Sequence, residues 1–226
     1  MPFFDDLKAS TLEEQAYLFD ADIIKRCFTG NVSLNDYGAF LLQAYHHVKH
    51  TVPLLMAVGA RLSEQQEWLR MAVAEYIEEE LGHQEWILND LAACGFDKEK
   101  ARQSTPNLAT ELMVAYAYDT INRVNPLGFF GMVHVLEGTS ITTADGAADN
   151  IQKALNLPDK AFSYLRSHGA LDQDHVKFFE GLMNKLDSPS DKAQIIHSAK
   201  AFYTLYGNVF RSMNAQQCEA ITSNKS

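Results

Sequence analysis

Three groups of side chains in this chain have the types and spacing of metal ligands. The first is His168, Asp172 and His175, within SHGALDQDHVKFF; steps of four and three put all three on one helical stripe, where imidazole and carboxylate serve one centre together. The second is Glu80 with His83, within EYIEEELGHQEW, a Glu-x-x-His pair whose members share a face and project together into a bundle interior. The third is Glu137, within HVLEGTS, a carboxylate set in an otherwise apolar stretch. An unpaired carboxylate is expensive to bury, so Glu137 calls for a metal, a cation or a proton.

Each group also has a plainer reading. Glu78 to Glu80 reads as a solvated acidic run, of which only one or two members can face inward. Glu137 can pair with a Lys or Arg, or hydrogen-bond His134 one turn back, and His168, Asp172 and His175 can form a surface patch. The combination favours a metal: three histidines and three carboxylates on three helices are hard to explain as solvated faces. Mixed nitrogen and oxygen ligation suits iron or manganese better than zinc-thiolate or calcium chemistry.

The elements that must position these groups are helices. Periodicity is helical throughout and no alternating β-branched run qualifies as a strand, so the expected fold is all-α. Seven helices are expected, over 11–29, 34–62, 63–94, 108–123, 126–155, 159–186 and 190–213. Thr11 with Glu14 and Ser63 with Gln66 have capping-box spacing, Gly30 and Gly95 stand at stop positions, Pro53 should kink or restart its helix, and Pro126 suits a first turn. Gly128, Gly131 and Gly138 weaken their helix and imply a close neighbour or ligand. Residues 96–107 form a polar connection and 214–226 a polar, frayed tail, so one helical domain over 1–226 is expected.

A 226-residue chain that is 46% hydrophobic and 21% charged is globular and long enough to bury a core. Nineteen basic against 29 acidic residues leave a net charge of −10, which argues against nucleic acid and anionic membranes and favours a small-molecule or protein partner. Cys27, Cys94 and Cys218 are widely spaced and read as free thiols of a reducing compartment. Residues 1–10 are not a signal, and the most apolar stretch, 127–136, is too short to span a membrane, so a cytoplasmic location is expected.

The ordered motifs Glu80-x-x-His83, Glu137 and His168-x3-Asp172-x2-His175 resemble those of the heme-oxygenase-like diiron oxidases and oxygenases. That family shares its seven-helix fold with the TenA-type thiaminase II proteins, the pyrroloquinoline quinone synthase and the chlamydial CADD protein. The resemblance spans roughly 12–213 and implies a non-heme iron centre, usually dinuclear, that activates O2 to oxidise a small organic substrate. A homodimer is expected, and the charge argues against a nucleic-acid or membrane partner. The family places a further carboxylate on the helix ahead of the Glu-x-x-His motif, where this chain reads AYHHVKH, with His46 or His47 as the possible replacement ligand. One carboxylate fewer should hold a second ion less firmly. A family variant draws a carboxylate from two turns before the helix histidine, where this chain has Tyr76; Glu75 and Glu79 are candidates to compensate.

Relatives with other activities set alternatives. A heme-degrading enzyme needs a proximal histidine on the first helix, and residues 1–45 contain no His. A TenA-like hydrolase of thiamine-related small molecules needs a mid-chain nucleophilic Cys and a Glu on the last helix, a pattern that neither Cys94 nor FYTLYGNVFRSM supplies. A cofactorless quinone-forming enzyme needs an Arg and His cluster that the chain lacks. A metal-free binding protein on the same bundle remains, with Phe129, Phe130, Phe178, Phe179, Tyr203 and Tyr206 as wall or core aromatics. For the oxidase, the expected pocket is Tyr76, His134, Phe130, Phe179, Tyr203 and Tyr206, with Tyr76 and His134 also placed to orient ligands. Electrons beyond those of the substrate must come from outside, because the chain has neither a dinucleotide fingerprint nor an Fe–S cysteine cluster.

Overall fold

Caps and breakers divide the chain more finely than its periodicity. The computed structural model describes residues 1–223, with 168–175 described as helical backbone alone. Its twelve α-helices are α1 (Phe3–Ser10), α2 (Leu12–Phe19), α3 (Asp22–Thr29), α4 (Leu34–Val48), α5 (Thr51–Arg61), α6 (Glu67–Glu80), α7 (His83–Ala93), α8 (Lys98–Gln103), α9 (Leu108–Asp119), α10 (Phe129–Leu155), α11 (Ser163–Asn184) and α12 (Pro189–Ser212). Among the described residues the only extended pairing is an isolated bridge between Phe96 and Thr222, and no helix is long and apolar enough to cross a membrane.

Several expected signals act as read. Ser33 and Asp36 close a capping box that starts α4, Ser63 and Gln66 close another ahead of α6, and Gly30 ends α3 in the left-handed conformation at φ 68°. Pro53 restarts rather than kinks: α4 stops at Val48 and the proline falls in the first turn of α5, where its missing N–H costs nothing.

Other boundaries differ. The helix expected over 11–29 breaks into α2 and α3 around Asp20, and Thr11 does not cap it, because its hydroxyl donates instead to the Leu7 carbonyl of α1. The helix expected over 63–94 breaks at Leu81 and Gly82, where Gly82 takes φ 91°, so Glu80 ends α6 and His83 begins α7. The tail read as frayed forms a 3-10 turn over Ala215–Ile221 that buries Cys218 and Ile221 against α4, and Asp97 donates its N–H to the Ile221 carbonyl.

Two contacts set how the long helices cross. A Cβ on Gly131 of α10 would stand 2.6 Å from the Ala199 nitrogen and 2.9 Å from the Ile195 oxygen of α12, so the two backbones touch there. Gly138 has open space, its nearest neighbour being the Tyr203 hydroxyl at 3.9 Å. The second contact is at the start of α11. Asp90 of α7, fully buried, accepts hydrogen bonds from the Ser163 hydroxyl, the Ser163 N–H at 3.1 Å and the Tyr164 N–H at 2.9 Å. A residue from another helix thus supplies the N-terminal cap that α11 lacks in its own sequence.

The buried apolar side chains form two clusters, one around Leu54, Leu69, Phe130, Phe179 and Phe202, the other around Leu41, Ile87, Leu91 and Phe162. Gly131→Ala is expected to destabilise the protein by about 3 kcal/mol through overpacking, whereas Gly138→Ala should stabilise it by up to about 1 kcal/mol, as read by urea unfolding. Asp90→Ala should cost about 2 kcal/mol by the same measurement, since it leaves the first N–H groups of α11 buried without an acceptor.

Candidate functional site

A cavity of about 150 Å3 lies where the two clusters meet, with walls from α3, α4, α5, α6, α10, α11 and α12. Its lining is mostly apolar, including Ile24, Phe40, Met132, Val133, Leu136 and Phe210. Into it face His47 of α4, Tyr76 and Glu80 of α6 and Glu137 of α10. Asp36 lines it as well, but its carboxylate is engaged by Arg26 and by the Ser33 N–H and hydroxyl. Among the described residues no Lys or Arg lines the cavity.

The acidic run of α6 is sorted by its helical positions. Glu75, Glu78 and Glu79 are exposed, while the Glu80 side chain is 16% exposed and faces the cavity. Glu80 Oε2 lies 3.0 Å from His83 Nδ1 across the Gly82 break, so the Glu-x-x-His pair meets although it does not share a helix. His83 is buried behind Glu80 and stacks on Trp86 with ring centroids 4.0 Å apart; it is not part of the wall. Tyr76, expected as a pocket residue, is on the wall, with the Glu137 carboxylate as its nearest charged neighbour. Burial first, and then the carboxylates of Glu137, Glu79 and Glu80, push ionisation of that phenol well up, so it stays protonated.

The two adjacent histidines of α4 part company, because neighbours on a helix are turned about 100° from one another. His47 faces the cavity and meets the Tyr206 ring edge-on. His46 turns away: its Nε2 lies 2.9 Å from the Ser104 hydroxyl, and burial, then the Lys49 and His50 charges, hold it down at about 4. His50 also points elsewhere, with Nδ1 3.1 Å from the Tyr118 hydroxyl.

The same rotation corrects four pocket residues. Val133, Leu136, Ser140, Ala144, Ala147 and Ile151 face the cavity from one stripe of α10, with Glu137 at its edge, while His134 and Phe130 lie off that stripe. His134 Nε2 sits 3.5 Å from the Thr11 hydroxyl and its ring packs among Phe4, Phe179 and Tyr203. Phe130, Phe179 and Tyr203 are core with it, Tyr203 accepting from the Gln15 amide at 3.3 Å. Tyr206 does line the cavity. The wall residues of α3 carry no sequence signal of their own, whereas those of α10 are marked by the three-and-four spacing of Val133, Leu136 and Ser140 with Glu137.

His168, Asp172 and His175 lie outside the described residues. The backbone of α11 packs on α10 and α7, the helices that carry Glu137 and His83. Among the described residues no three His, Cys, Asp or Glu side chains converge to hold a metal ion. What the described part offers is two inward carboxylates, an imidazole and a protonated phenol in an apolar cavity, a donor chemistry that fits iron. A cation there would offset the cost of keeping Glu80 and Glu137 in such surroundings.

Residues 38–207 match a family model described as iron-containing redox enzyme. No curated protein matches the chain. Among solved structures, a domain with a heme oxygenase-like fold from Shewanella denitrificans OS217 is similar, with TM-score 0.85 and 20% identity over 94% of this chain and 92% of that one. A TenA homologue from Pseudomonas syringae pv. tomato has TM-score 0.77 and 12% identity over 95% and 93%. Heme oxygenase-1 of Synechocystis, solved with heme, has TM-score 0.74 and 13% identity over 97% and 96%. The fold is therefore the heme oxygenase-like all-α fold.

The burial of His134 predicts an acid dependence of stability. Burial first, and then the Lys8 charge, lower it from 6.5 to about 4, so the fold favours the neutral ring. Its contribution is complete above pH 6.5 and is lost as the pH falls toward 4, by about 3 kcal/mol. Urea midpoints measured from pH 7 to 4 should fall more steeply for the wild type than for His134→Phe; parallel slopes would contradict this.

Proposed function

The chain belongs to the iron-containing redox enzyme family, and from that premise we propose that it is a non-heme iron oxidase or oxygenase, dinuclear when fully loaded, that uses O2 to oxidise a small organic substrate in this cavity. The observation that carries the reading is the pair of carboxylates, Glu80 and Glu137, turned into an apolar cavity whose described lining has no Lys or Arg. Iron bound there would supply reductive activation of O2, with electrons beyond those of the substrate drawn from an external donor.

The chain's own residues have distinct tasks in this reading. Glu80 and Glu137 would hold the metal with His168, Asp172 and His175, and His83 orients Glu80 through their 3.0 Å contact. The Tyr76 phenol, kept protonated by burial and by the Glu137 charge, would hold a proton beside that carboxylate. Met132, Val133, Leu136 and Phe210 exclude bulk water, which strengthens the interactions of the inward charges. His47 occupies the direction from which a further carboxylate is expected. A neutral imidazole offsets less of the charge of a second ion, so the second equivalent should be held more weakly than the first.

Anaerobic titration with Fe(II), with metal content read by elemental analysis, tests the proposal. Uptake should be weakened about tenfold or more by Glu137→Gln and by His168→Ala, and His47→Glu should tighten the second equivalent. Trace uptake by wild-type protein purified after iron supplementation would overturn the reading.

A further inference from the structure

Tyr206 holds a hydroxyl that the fold does not use. It is 7% exposed and lies on the cavity wall, with its ring 5.7 Å from His47 and 4.7 Å from Phe210. Tyr37, by contrast, donates to the Ala161 carbonyl at 2.7 Å, and Tyr203 accepts from Gln15. Tyr206 makes no hydrogen bond to any described residue, and desolvation alone acts on its phenol, raising it above the ordinary value. A hydroxyl on a cavity wall with no described protein partner is free to donate its proton to a ligand in the cavity.

The shape and charge of the walls narrow what that ligand is. Wall residues follow α10 from Phe129 to Ile151, roughly 33 Å of helix at 1.5 Å per residue. Lined along that length of one helix, the cavity is an elongated slot. One side is a flat aromatic row, in which Tyr37 and Phe40 stack at 16° and Phe40 and Phe210 at 10°. Phe28 of α3, 45% exposed, marks the side nearest solvent. Among the described residues the charged groups facing the slot are acidic, and no Lys or Arg there is available to hold an anion.

We propose that the slot takes a slender, uncharged, apolar molecule carrying one hydrogen-bond acceptor, with a straight-chain ketone as the simplest case, and that Tyr206 sets where along the slot the acceptor stops. The proposal deepens the oxidase reading, since the acceptor's position decides which atom of the chain is presented to Glu80 and Glu137. Binding itself does not depend on that reading, because it rests on Tyr206 and the walls.

Titration calorimetry with 2-octanone, octanoate and 1-octene, on protein as purified and after chelation, tests it, with iron content measured on the same samples. The ketone should bind, and Tyr206→Phe should weaken it about tenfold while leaving 1-octene unchanged. The variant should keep the wild-type unfolding midpoint, since no bond to the protein is lost. Octanoate should bind the chelated protein at least about tenfold more weakly than the ketone. Equal ketone affinity in wild type and Tyr206→Phe, octanoate binding the chelated protein as tightly as the ketone, or no ketone binding, would each overturn the proposal. Ketone binding in protein that takes up no iron would sustain it while defeating the oxidase reading; iron uptake without ketone binding would do the reverse.

Discussion

The start of α11 hangs on a carboxylate from another helix. Asp90 is fully buried on α7 and receives the Ser163 and Tyr164 N–H groups and the Ser163 hydroxyl, so the first turn of α11 is satisfied by a group from α7. Desolvation raises the Asp90 carboxyl above its ordinary value, against the opposing effect of these three donors. The interaction therefore specifies position more than it contributes stability. It sets the register of α11, which packs along α10, against the helix that opens with His83. The α10–α12 contact at Gly131 sets the opposite side of α10. Between these two constraints α10 has one orientation, and that orientation decides which of its side chains face the cavity.

That orientation divides the chemistry of α10. Val133 and His134 are adjacent, yet one forms a cavity wall and the other fills a core of Phe4, Phe179 and Tyr203. Glu137 stands at the edge of the cavity stripe, where Tyr76 reaches it from α6. The same logic divides α4, where His47 turns inward and His46 outward to Ser104. In each case a rotation of about 100° separates a group that can act on a ligand from one that serves the fold.

Glu80 and His83 show how a local break can serve a site. Gly82 at φ 91° ends the continuous helix that the periodicity implies, and the 3.0 Å contact between the two side chains spans that break. The pair is thus held by the junction of α6 and α7. Glu75, Glu78 and Glu79, exposed along α6, remain part of the acidic surface that gives the chain its negative charge.

Much of this was legible in the residues alone. The all-α class followed from periodicity, and the stops at Gly30 and Gly95 followed from glycine's access to positive φ. The approach of α10 to a neighbour was implied by Gly128 and Gly131, and the inward turn of one acidic residue among Glu78 to Glu80 by helical geometry. These are local properties, set by side-chain type and by spacing within one helix. The cap on α11, the docking of 215–221 against α4, the choice of His47 over His46, and the assignment of Tyr206 to the cavity but Tyr203 to the core were not legible. Each depends on which face of one helix meets another distant in sequence, and only the packed bundle decides that.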